Sequence, residues 1–531
     1  FRKPGAGYIR KYYLGTLILW CMSDNKTIAK NTIFLYVRSF LMMAINLYAS
    51  RVILEALGVS DYGLYGAIGS IVMMFAIING VLSVGTSRFL TFELGRNDLE
   101  KLKKTFSASF MLHAGMALGL LVLLETVGLW FLNYKMNIPA GRGFAANILY
   151  QCSILSCIFA ITQVPYSAII IAHEKMSIYA YVGIAEAIFK LALVLFLVYV
   201  PASDNLIAYG LILALWSVCL QVFYRYYCYK KFKESHLSIC RDKAIYKSML
   251  SYGSWDLIGQ FCGTGNTQGI NILINIFFGV TVNAARTIAY QVENAITQFS
   301  ANFMMSVNPQ IVKSYARGDY NRFFQLIYEA GRYSFYLLFM VSLPVFLEAD
   351  YILKLWLKDV PDYTVLFLRC VMVISLMRVF SRPLINGVHA TGNVKILNLT
   401  SGVYSASTFL PLVYLLYKLD YPVWICFIVQ AFNMCICSWL EVRALYKEIK
   451  FDRLDYFKKV YVHSIGVSFI ACLLPVSVIY MMDDGPARLI FISVVSVLST
   501  SVCVYFMGLN KVTRQKVNSF YIKKIYNLKS R

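Results

Sequence analysis

Residues 105–132 read TFSASFMLHAGMALGLLVLLETVGLWFL, a run of apolar residues that contains one carboxylate, Glu125, and no lysine or arginine. A helix needs about 20 predominantly apolar residues to cross a hydrocarbon core about 30 Å thick. This stretch is therefore long enough and apolar enough to form a transmembrane helix.

Stretches of the same kind recur along the whole chain of 531 residues. Hydrophobic residues make up 59% and charged residues 15% of the chain, whereas soluble domains average about 45–50% and about 25%. This composition excludes a soluble protein and predicts an all-α integral membrane protein with about fourteen transmembrane helices. We number these spans 1–14: 30–54, 62–87, 105–132, 144–171, 178–200, 205–228, 249–278, 284–311, 327–349, 364–388, 396–417, 422–445, 460–482 and 487–508.

Basic residues are distributed unevenly between the two ends of the predicted spans. The formal net charge is +23, from 50 Lys and Arg against 27 Asp and Glu. About 36 of the cations flank the spans on one side and about 8 on the other, and basic residues collect in cytoplasmic loops. Both termini are therefore predicted to be cytoplasmic, and the net charge requires no nucleic-acid partner.

An internal repeat relates the two halves of the chain. At an offset of 221 residues, Gly58-Val59-Ser60 falls on Gly279-Val280-Thr281, and Gly95-Arg96-Asn97-Asp98 falls on Ala316-Arg317-Gly318-Asp319. An offset of six spans keeps both copies in one orientation, so it predicts two six-helix lobes related by a pseudo-two-fold axis along the membrane normal. Two such lobes would enclose a cleft that opens alternately to each side of the membrane.

The spans and loops predict six segments. They are a cytoplasmic N-terminus (1–29), an N-lobe of spans 1–6 (30–229), a basic cytoplasmic linker (230–247), a C-lobe of spans 7–12 (248–446), spans 13–14 (447–508) and a basic cytoplasmic tail (509–531). Residue 1 is Phe and the first methionine is Met22. We therefore expect residues 1–21 to be an over-extended reading frame that is absent from the mature protein.

Short motifs in spans 1–2 and 7–8 carry a family resemblance. They are residues 51–65 (RVILEALGVSDYGLY), 87–91 (SRFLT) with Gly95, 282–286 (VNAAR) with Gln291-Val292, and Asn308-Pro309-Gln310-Ile311. Together with the fourteen-span layout, they resemble the bacterial polysaccharide and O-antigen flippases, the oligosaccharide-lipid branch of the multidrug/oligosaccharidyl-lipid/polysaccharide exporter superfamily. The resemblance implies that the chain turns an undecaprenyl-pyrophosphate-linked oligosaccharide from the inner to the outer leaflet of the bacterial inner membrane. It also implies coupling to protons or sodium ions.

Polar side chains line one face of span 8 and, more broadly, one face of span 7. At 100° per residue the four amides of span 8 fall within about 60° of one another, with Arg286 and Glu293 on a second line nearby. Because a charge facing lipid costs at least about 2.5–3.5 kcal/mol, polar groups in spans normally face other helices or a water-filled path. Two interpretations of these polar faces remain: they line a water-filled cavity, or they form hydrogen bonds between helices. We favour the cavity. The stripes comprise Gln291, Asn294, Gln298 and Asn302 in span 8, and Asp256, Gln260, Thr264, Thr267 and Asn271 in span 7.

Arginines in or near the spans are candidate ligands for a pyrophosphate, because the planar guanidinium stays charged and donates paired hydrogen bonds. Two of them have an alternative interpretation. Arg382 can extend toward the cytoplasmic surface, and Arg38 can bond to a backbone carbonyl. The candidate substrate-binding cations are Arg38, Arg51, Arg286, Arg378 and Arg382.

Carboxylates in the spans divide into two groups. Glu186 and Lys190 are four residues apart on span 5, with the acid first, which favours a structural ion pair. Asp256, Glu293 and Glu125 have no equally obvious partner. They are the candidates for ion coupling, because a desolvated carboxyl group can carry a proton near neutral pH.

The sequence gives less support to metalloproteins, enzymes and multidrug extruders. Neither the thirteen cysteines nor the five histidines show metal-ligand spacing, so we expect no metal and no cofactor. The longest predicted outer loops, 133–143 and 350–363, are too short for the catalytic loop of a membrane glycosyltransferase or polymerase, and we expect no enzymatic activity. The nearest rival is a proton- or sodium-coupled multidrug and toxin extruder of the same superfamily, whose cavity should carry net negative charge. The expected partners are therefore the lipid-linked oligosaccharide, the coupling ion, membrane lipids and other polysaccharide assembly proteins.

Overall fold

The computed structural model describes residues 27–42, 83–134, 141–199, 204–238, 240–357 and 360–510, together with isolated positions outside these ranges. The described residues form helices joined by turns and include no β-strand. This architecture confirms the predicted all-α fold class.

The helices follow one another with short connections. In chain order they are α1 (27–42), α2 (83–96), α3 (Leu99–Tyr134), α4 (Gly143–Ala172), α5 (Met176–Tyr199), α6 (Asn205–Lys231), α7 (Lys243–Ala316), α8 (Tyr320–Leu347), α9 (Ala349–Trp356), α10 (Thr364–Arg378), α11 (Ser381–Thr391), α12 (Lys395–Lys418), α13 (Ile425–Glu448), α14 (Arg453–Ile479) and α15 (Pro486–Gly508).

Within the described residues, nine helices are long and apolar enough to cross a membrane. The pair α10–α11, bent by 41°, forms a tenth candidate span. The ends of these ten elements lie within seven residues of predicted spans 3–6 and 9–14. Most of span 2 and part of span 1 lie outside the described residues, so the count of fourteen stays a prediction.

Helix α7 is interrupted at the boundary predicted between spans 7 and 8. Gly279 has φ 85° and ψ 178°, which divides the 74 residues of α7 into a first arm and a second arm. A positive φ is accessible to glycine at no steric cost, and a side chain at Gly279 would meet no atom within 4 Å. Glycine is therefore required here for backbone conformation, not for space. α7 is not among the nine apolar helices of the described chain, as expected from the polar stripes on both arms.

The chain divides into two compact units. The first comprises Phe1–Leu257 and Met305–Tyr320, and the second comprises Ile258–Met304 and Asn321–Arg531. Helix α7 therefore contributes residues to both. The repeat-based division into lobes stays a prediction.

An apolar cluster of the first unit lies between α2, α3, α4 and α6. It includes Leu90, Phe106, Ile169, Tyr224 and Cys228, all of them buried. Lipid tails are as apolar as these side chains, so close packing and polar contacts stabilise helix association in a membrane more than hydrophobic burial does.

Glu174 connects three segments of the first unit. Its carboxylate accepts a hydrogen bond from Gln310 Nε2 at 2.5 Å and forms an ion pair with Lys313. Its backbone carbonyl accepts from Asn31 Nδ2 at 2.9 Å. These contacts bind the end of α7 to the turn between α4 and α5 and to α1.

In the second unit, small residues bring the first arm of α7 close to α12. A side chain at Gly259 would collide with Asn398, and one at Gly269 would collide with Leu410. A glycine contact of this kind lets helix backbones approach closely in a membrane.

Four helices of the described chain contain a π-helical turn, which holds one residue more than an α-helical turn. In α3, the Tyr150 hydroxyl donates to the Leu124 carbonyl at 2.8 Å and stabilises the widened turn. The turns are Leu124–Gly128 in α3, Asn398–Gly402 in α12, Phe457–Val462 in α14 and Val504–Gly508 in α15.

Many large apolar side chains are exposed along the long helices. On α14 and α15, the exposed fractions of Phe469, Leu474 and Leu498 are 69%, 62% and 59%. Soluble monomers rarely expose contiguous apolar surface on this scale. The exposure is consistent with helices that face lipid.

The turn after α6 carries an ion pair whose effect on stability should depend on pH. His173 Nε2 lies 2.5 Å from Glu234 Oε1, and the imidazole stacks on Phe232. Burial alone would raise the pKa of the Glu234 carboxyl, but the His173 hydrogen bond and the nearby Lys175 charge outweigh burial and lower this pKa below its ordinary value of 4.5.

We expect this ion pair to make the protein less stable in acid. A carboxyl whose pKa is lowered by folding stabilises the native state above its ordinary pKa, and the contribution disappears as the pH falls through the folded-state pKa. The apparent melting temperature of the purified protein should therefore fall more steeply below about pH 4.5 in the native protein than in Glu234→Gln. Identical acid slopes would contradict this expectation.

Candidate functional site

The amides of the second α7 arm lie largely at an accessible surface. Gln291, Asn294 and Gln298 are exposed, whereas Asn302 is buried. Gln298 Nε2 donates to Asn302 Oδ1 at 3.2 Å. Exposed amides of a membrane helix need a polar environment, because unsatisfied polar groups are costly in hydrocarbon.

The first arm carries a less uniform stripe. Thr264 and Thr267 are exposed, and Gln260 and Asn271 are half-buried. Asp256, on the part of α7 that belongs to the first unit, is 4% exposed and lies near Tyr252. The first arm therefore presents both accessible and enclosed polar groups.

Arg286 connects the two arms of α7 within the second unit. It is 4% exposed, and its Nη1 donates a hydrogen bond to Asn271 Oδ1. Its guanidinium carbon lies 4.3 Å from the ring centroid of Tyr290, a cation–π contact. Its Nε has no hydrogen-bond partner among the described residues. The Arg286 guanidinium thus donates a hydrogen bond between the two arms through Nη1, while its Nε–H donor is not used within the described residues.

Glu293 connects the second arm to α10. It is 4% exposed and accepts a hydrogen bond from Ser375 Oγ. Three apolar side chains (Ile296, Leu338 and Met372) and three hydroxyl side chains (Thr297, Ser342 and Ser375) surround it. The carboxylate is thus buried and held by a neutral hydroxyl donor.

Two arginines lie on either side of the bend between α10 and α11. Arg378 is the last residue of α10 and is half-buried, whereas Arg382 lies in the first turn of α11 and is exposed. Arg382 is within electrostatic reach of both Arg378 and Glu293. A cation is favoured at a helix C-terminus and disfavoured at an N-terminus, so the α11 terminus adds to the positive potential around Arg382. These three residues carry net positive charge.

Arg38, on α1, stacks against α5. Its guanidinium carbon lies 4.5 Å from the ring centroid of Tyr179, and its Nε has no hydrogen-bond partner among the described residues. The same guanidinium packs so closely on Gly183 that a side chain there would collide with it. Arg51 lies outside the described residues.

The remaining predicted carboxylates lie in separate places within the first unit. Glu125, in the π turn of α3, is half-buried and accepts from Gln151 Nε2 at 3.0 Å. Lys190 Nζ lies 3.6 Å from Glu186 Oε1 on α5, and both side chains are partly exposed. Glu186 lies on the same face of α5 as Tyr179 and Gly183, the residues that Arg38 contacts.

Sequence analysis did not single out three buried carboxylates of the second unit, Glu441, Glu348 and Glu329. Glu441 lies on α13 and Glu348 precedes α9, and both are at least 94% buried. The available signal for Glu441 was a carboxylate inside predicted span 12. Glu348 lies close to the predicted outer end of span 9, where nothing in the sequence indicates burial.

Metal-binding residues do not gather in the part of the chain that the structure describes. No group of three or more His, Cys, Asp or Glu residues there could hold a metal ion. The polar features of the site are therefore arginines, amides and single carboxylates.

Solved structures of MATE transporters share this fold. A MATE transporter in complex with MaD3S aligns with a TM-score of 0.68 at 14% identity, covering 81% of this chain and 97% of that chain. An outward-facing multidrug resistance MATE family transporter of the MOP superfamily aligns equally well, with the same score, identity and coverage. A MOP superfamily transporter from Pyrococcus furiosus, described as having a binding pocket of reverse polarity that suggests a different function, aligns with a TM-score of 0.65 at 14% identity, covering 80% and 96%. The chain therefore has a MATE-like fold.

Comparisons of sequence give no closer relationship. No family model matches the chain, and no curated protein matches it.

Proposed function

We propose that this protein is a flippase that turns an undecaprenyl-pyrophosphate-linked oligosaccharide from the inner to the outer leaflet of the bacterial inner membrane. The observation that supports it most is the positive charge at the α10–α11 bend, where Arg382 lies within electrostatic reach of Arg378 and of the Glu293 carboxylate. A cationic site lowers the free energy of an anionic headgroup within the membrane, while the lipid chain remains in hydrocarbon. Two six-helix lobes would alternate access to the site.

Arginine chemistry suits this headgroup. A guanidinium donates two parallel hydrogen bonds to phosphate oxygens and keeps its charge in a poorly solvated place. Arg286 and Arg38 each retain a buried Nε without a partner among the described residues. Arg51 belongs to the same proposed set. The exposed amides Gln291, Asn294 and Gln298, with Asn302, are proposed to bind sugar hydroxyls.

The carboxylates Asp256, Glu293 and Glu125 are proposed to couple transport to a proton or sodium gradient. Asp256 and Glu293 are the stronger candidates, because both are 4% exposed. Binding a cation would neutralise a buried carboxylate and remove much of its desolvation cost. The proposal contains no covalent chemistry and no cofactor.

The uneven distribution of basic residues between the two sides of the predicted spans is the basis for the proposed orientation in the membrane. The basic loops support the proposal that both termini are cytoplasmic, and contact with anionic lipid would be favoured on that side. Other polysaccharide assembly proteins are the proposed protein partners.

Export of drugs by a multidrug and toxin extruder is the second candidate. The similarity to MATE structures favours it as much as it favours a flippase. A cationic drug would require a site of net negative charge, and the α10–α11 bend has the opposite sign. The charge of the site is therefore what tilts the proposal toward an anionic substrate.

Deletion of the gene in the source bacterium distinguishes the two functions. For a flippase, surface glycan should be lost and lipid-linked oligosaccharide should accumulate on the inner leaflet, inaccessible to a glycosidase added outside spheroplasts. Expression of the native protein from a plasmid should reverse both changes. Normal surface glycan combined with increased sensitivity to cationic dyes would overturn the flippase proposal and support the extruder.

A further inference from the structure

Glu441 is a buried carboxylate that the proposed transport site does not use. It is 6% exposed, and its Oε2 has no hydrogen-bond partner among the described residues. The Ser381 hydroxyl supplies a hydrogen bond to the carboxylate. Glu441 thus differs from Glu348, whose two oxygens accept hydrogen bonds from Arg488 at 2.8 and 3.0 Å.

The groups that face Glu441 are neutral. Three titratable side chains lie within electrostatic reach of Glu441, and each is uncharged when protonated. They are Cys437 on its own helix and Tyr456 and Tyr461 on α14. An ionised carboxylate buried without a cation or a full set of donors costs several kcal/mol, and proton binding removes most of that cost. The site therefore suits a carboxylic acid better than a carboxylate.

A chain of hydroxyl groups leads away from this carboxyl. Ser381 Oγ lies 3.3 Å from Ser438 Oγ, and Ser438 Oγ lies 2.5 Å from the Tyr461 hydroxyl oxygen. Each hydroxyl can both donate and accept, and its hydrogen can rotate. The chain therefore offers a continuous route for a proton over three hydroxyl groups.

The route ends at a groove of about 960 Å³ within the second unit. Ser438 and Tyr461 line this groove, and Arg453 lies along it at the beginning of α14. Arg453 belongs to the loop between spans 12 and 13, which is predicted to be cytoplasmic from the distribution of basic residues. Most of the remaining lining is apolar, so the proton that reaches Tyr461 is proposed to come from water beside Arg453.

We propose that Glu441 is a proton-binding site that exchanges its proton with the groove through Ser381, Ser438 and Tyr461. On loading, water at the groove gives a proton to Tyr461 as that hydroxyl passes its own proton to Ser438. Ser438 and Ser381 pass theirs on in turn, and the carboxylate becomes a neutral acid. No other bond is made or broken. Any use of this site to drive transport rests on the proposed function, but proton binding itself does not.

Infrared difference spectroscopy of the purified, lipid-reconstituted protein tests the proposal without any substrate. Titration with acid and base should show carbonyl bands of protonated carboxylic acids, and Glu441→Gln should remove one of these bands. Glu329→Gln is the matched control, because Glu329 is 8% exposed but accepts a hydrogen bond from Gln325 Nε2 at 2.9 Å. We expect the control to keep the Glu441 band. A set of bands unchanged by Glu441→Gln would overturn the proposal.

Deuterium exchange tests the route separately. Ser438→Ala removes the middle hydroxyl, so the acid band should remain while its shift in D₂O becomes at least about tenfold slower. Ser477→Ala removes a hydroxyl that bonds only to the backbone of its own helix and should exchange at the native rate. Native exchange in Ser438→Ala would exclude the proposed route. Both experiments omit substrate, so negative results in them would not contradict the proposed flippase function. A negative result in the deletion experiment would likewise not contradict proton binding by Glu441.

Discussion

Replacing Arg378 with alanine should reduce transport of the lipid-linked oligosaccharide by about 10–100-fold without loss of protein from the membrane. A hydrogen bond to a charged group contributes about 1.5–3 kcal/mol, and each 1.4 kcal/mol corresponds to a factor of ten. Arg378 is half-buried at the end of α10, where its interaction with the helix dipole contributes only about 0.3–1 kcal/mol. The expected loss therefore comes from substrate binding, not from folding.

The conservative variant and a neighbouring arginine make this prediction specific. Arg378→Lys should retain part of the transport, because the charge remains while the paired donors are lost. Arg369→Ala is the matched control on the same helix, since Arg369 Nε donates to the Phe346 carbonyl at 3.2 Å and serves local structure. Surface glycan per molecule of membrane protein is the measurement. Full export by Arg378→Ala would remove this arginine from the proposed site.

Replacing Arg488 with alanine should lower the free energy of unfolding by about 3 kcal/mol. Arg488 Nε and Nη2 donate to the two oxygens of Glu348, and the side chains are 12% and 0% exposed. Removing the arginine leaves a buried carboxylate without its cation, which costs about 3–5 kcal/mol in fully buried pairs. Because Arg488 keeps some contact with solvent, we expect the lower end of that range.

Thermal unfolding in detergent, with a double mutant, measures this effect. Glu348→Ala should be milder, because Arg488 also forms an ion pair with Asp484 and donates to the Met482 carbonyl at 3.4 Å. The double variant should be more stable than Arg488→Ala alone, since the unpaired carboxylate is gone. The control is Lys354→Ala, which removes an exposed ion pair with Asp350 on α9 and should shift the melting temperature little. Equal shifts for Arg488→Ala and Lys354→Ala would contradict the prediction.

The helices could be predicted from the sequence because length and apolar content are local properties. Spans of 20 or more apolar residues fix most helix boundaries without reference to tertiary contacts. Gly279 could also be recognised, since two long helices must be separated by a residue that leaves the helical conformation. The bend after Arg378 was less visible, because Pro383 lies inside α11 and not at the break.

The partners of polar residues could not be predicted, because they depend on how helices pack. Arg286 meets Asn271 only because the two arms of α7 lie side by side, whereas its contact with Tyr290 is a local one between residues four apart on the same arm. Arg142, counted by sequence as a loop cation, forms ion pairs with Asp61 and Asp204, residues 81 and 62 positions away. Burial of Glu441 is likewise a property of the assembled unit. The sequence could indicate which polar side chains would be costly to expose to lipid, but not which residues they contact.

The widened turn at Leu124–Gly128 predicts where this protein family can change in length. Loss of one residue inside a regular helix rotates every following side chain by about 100° relative to the core. Loss of one residue inside a π turn restores an ordinary turn, and both flanking segments keep their faces. We therefore expect single-residue gaps between homologues to concentrate at Leu124–Gly128 and the three similar turns, and a designed deletion there to be better tolerated than one at Ala117, which is buried in the regular part of α3.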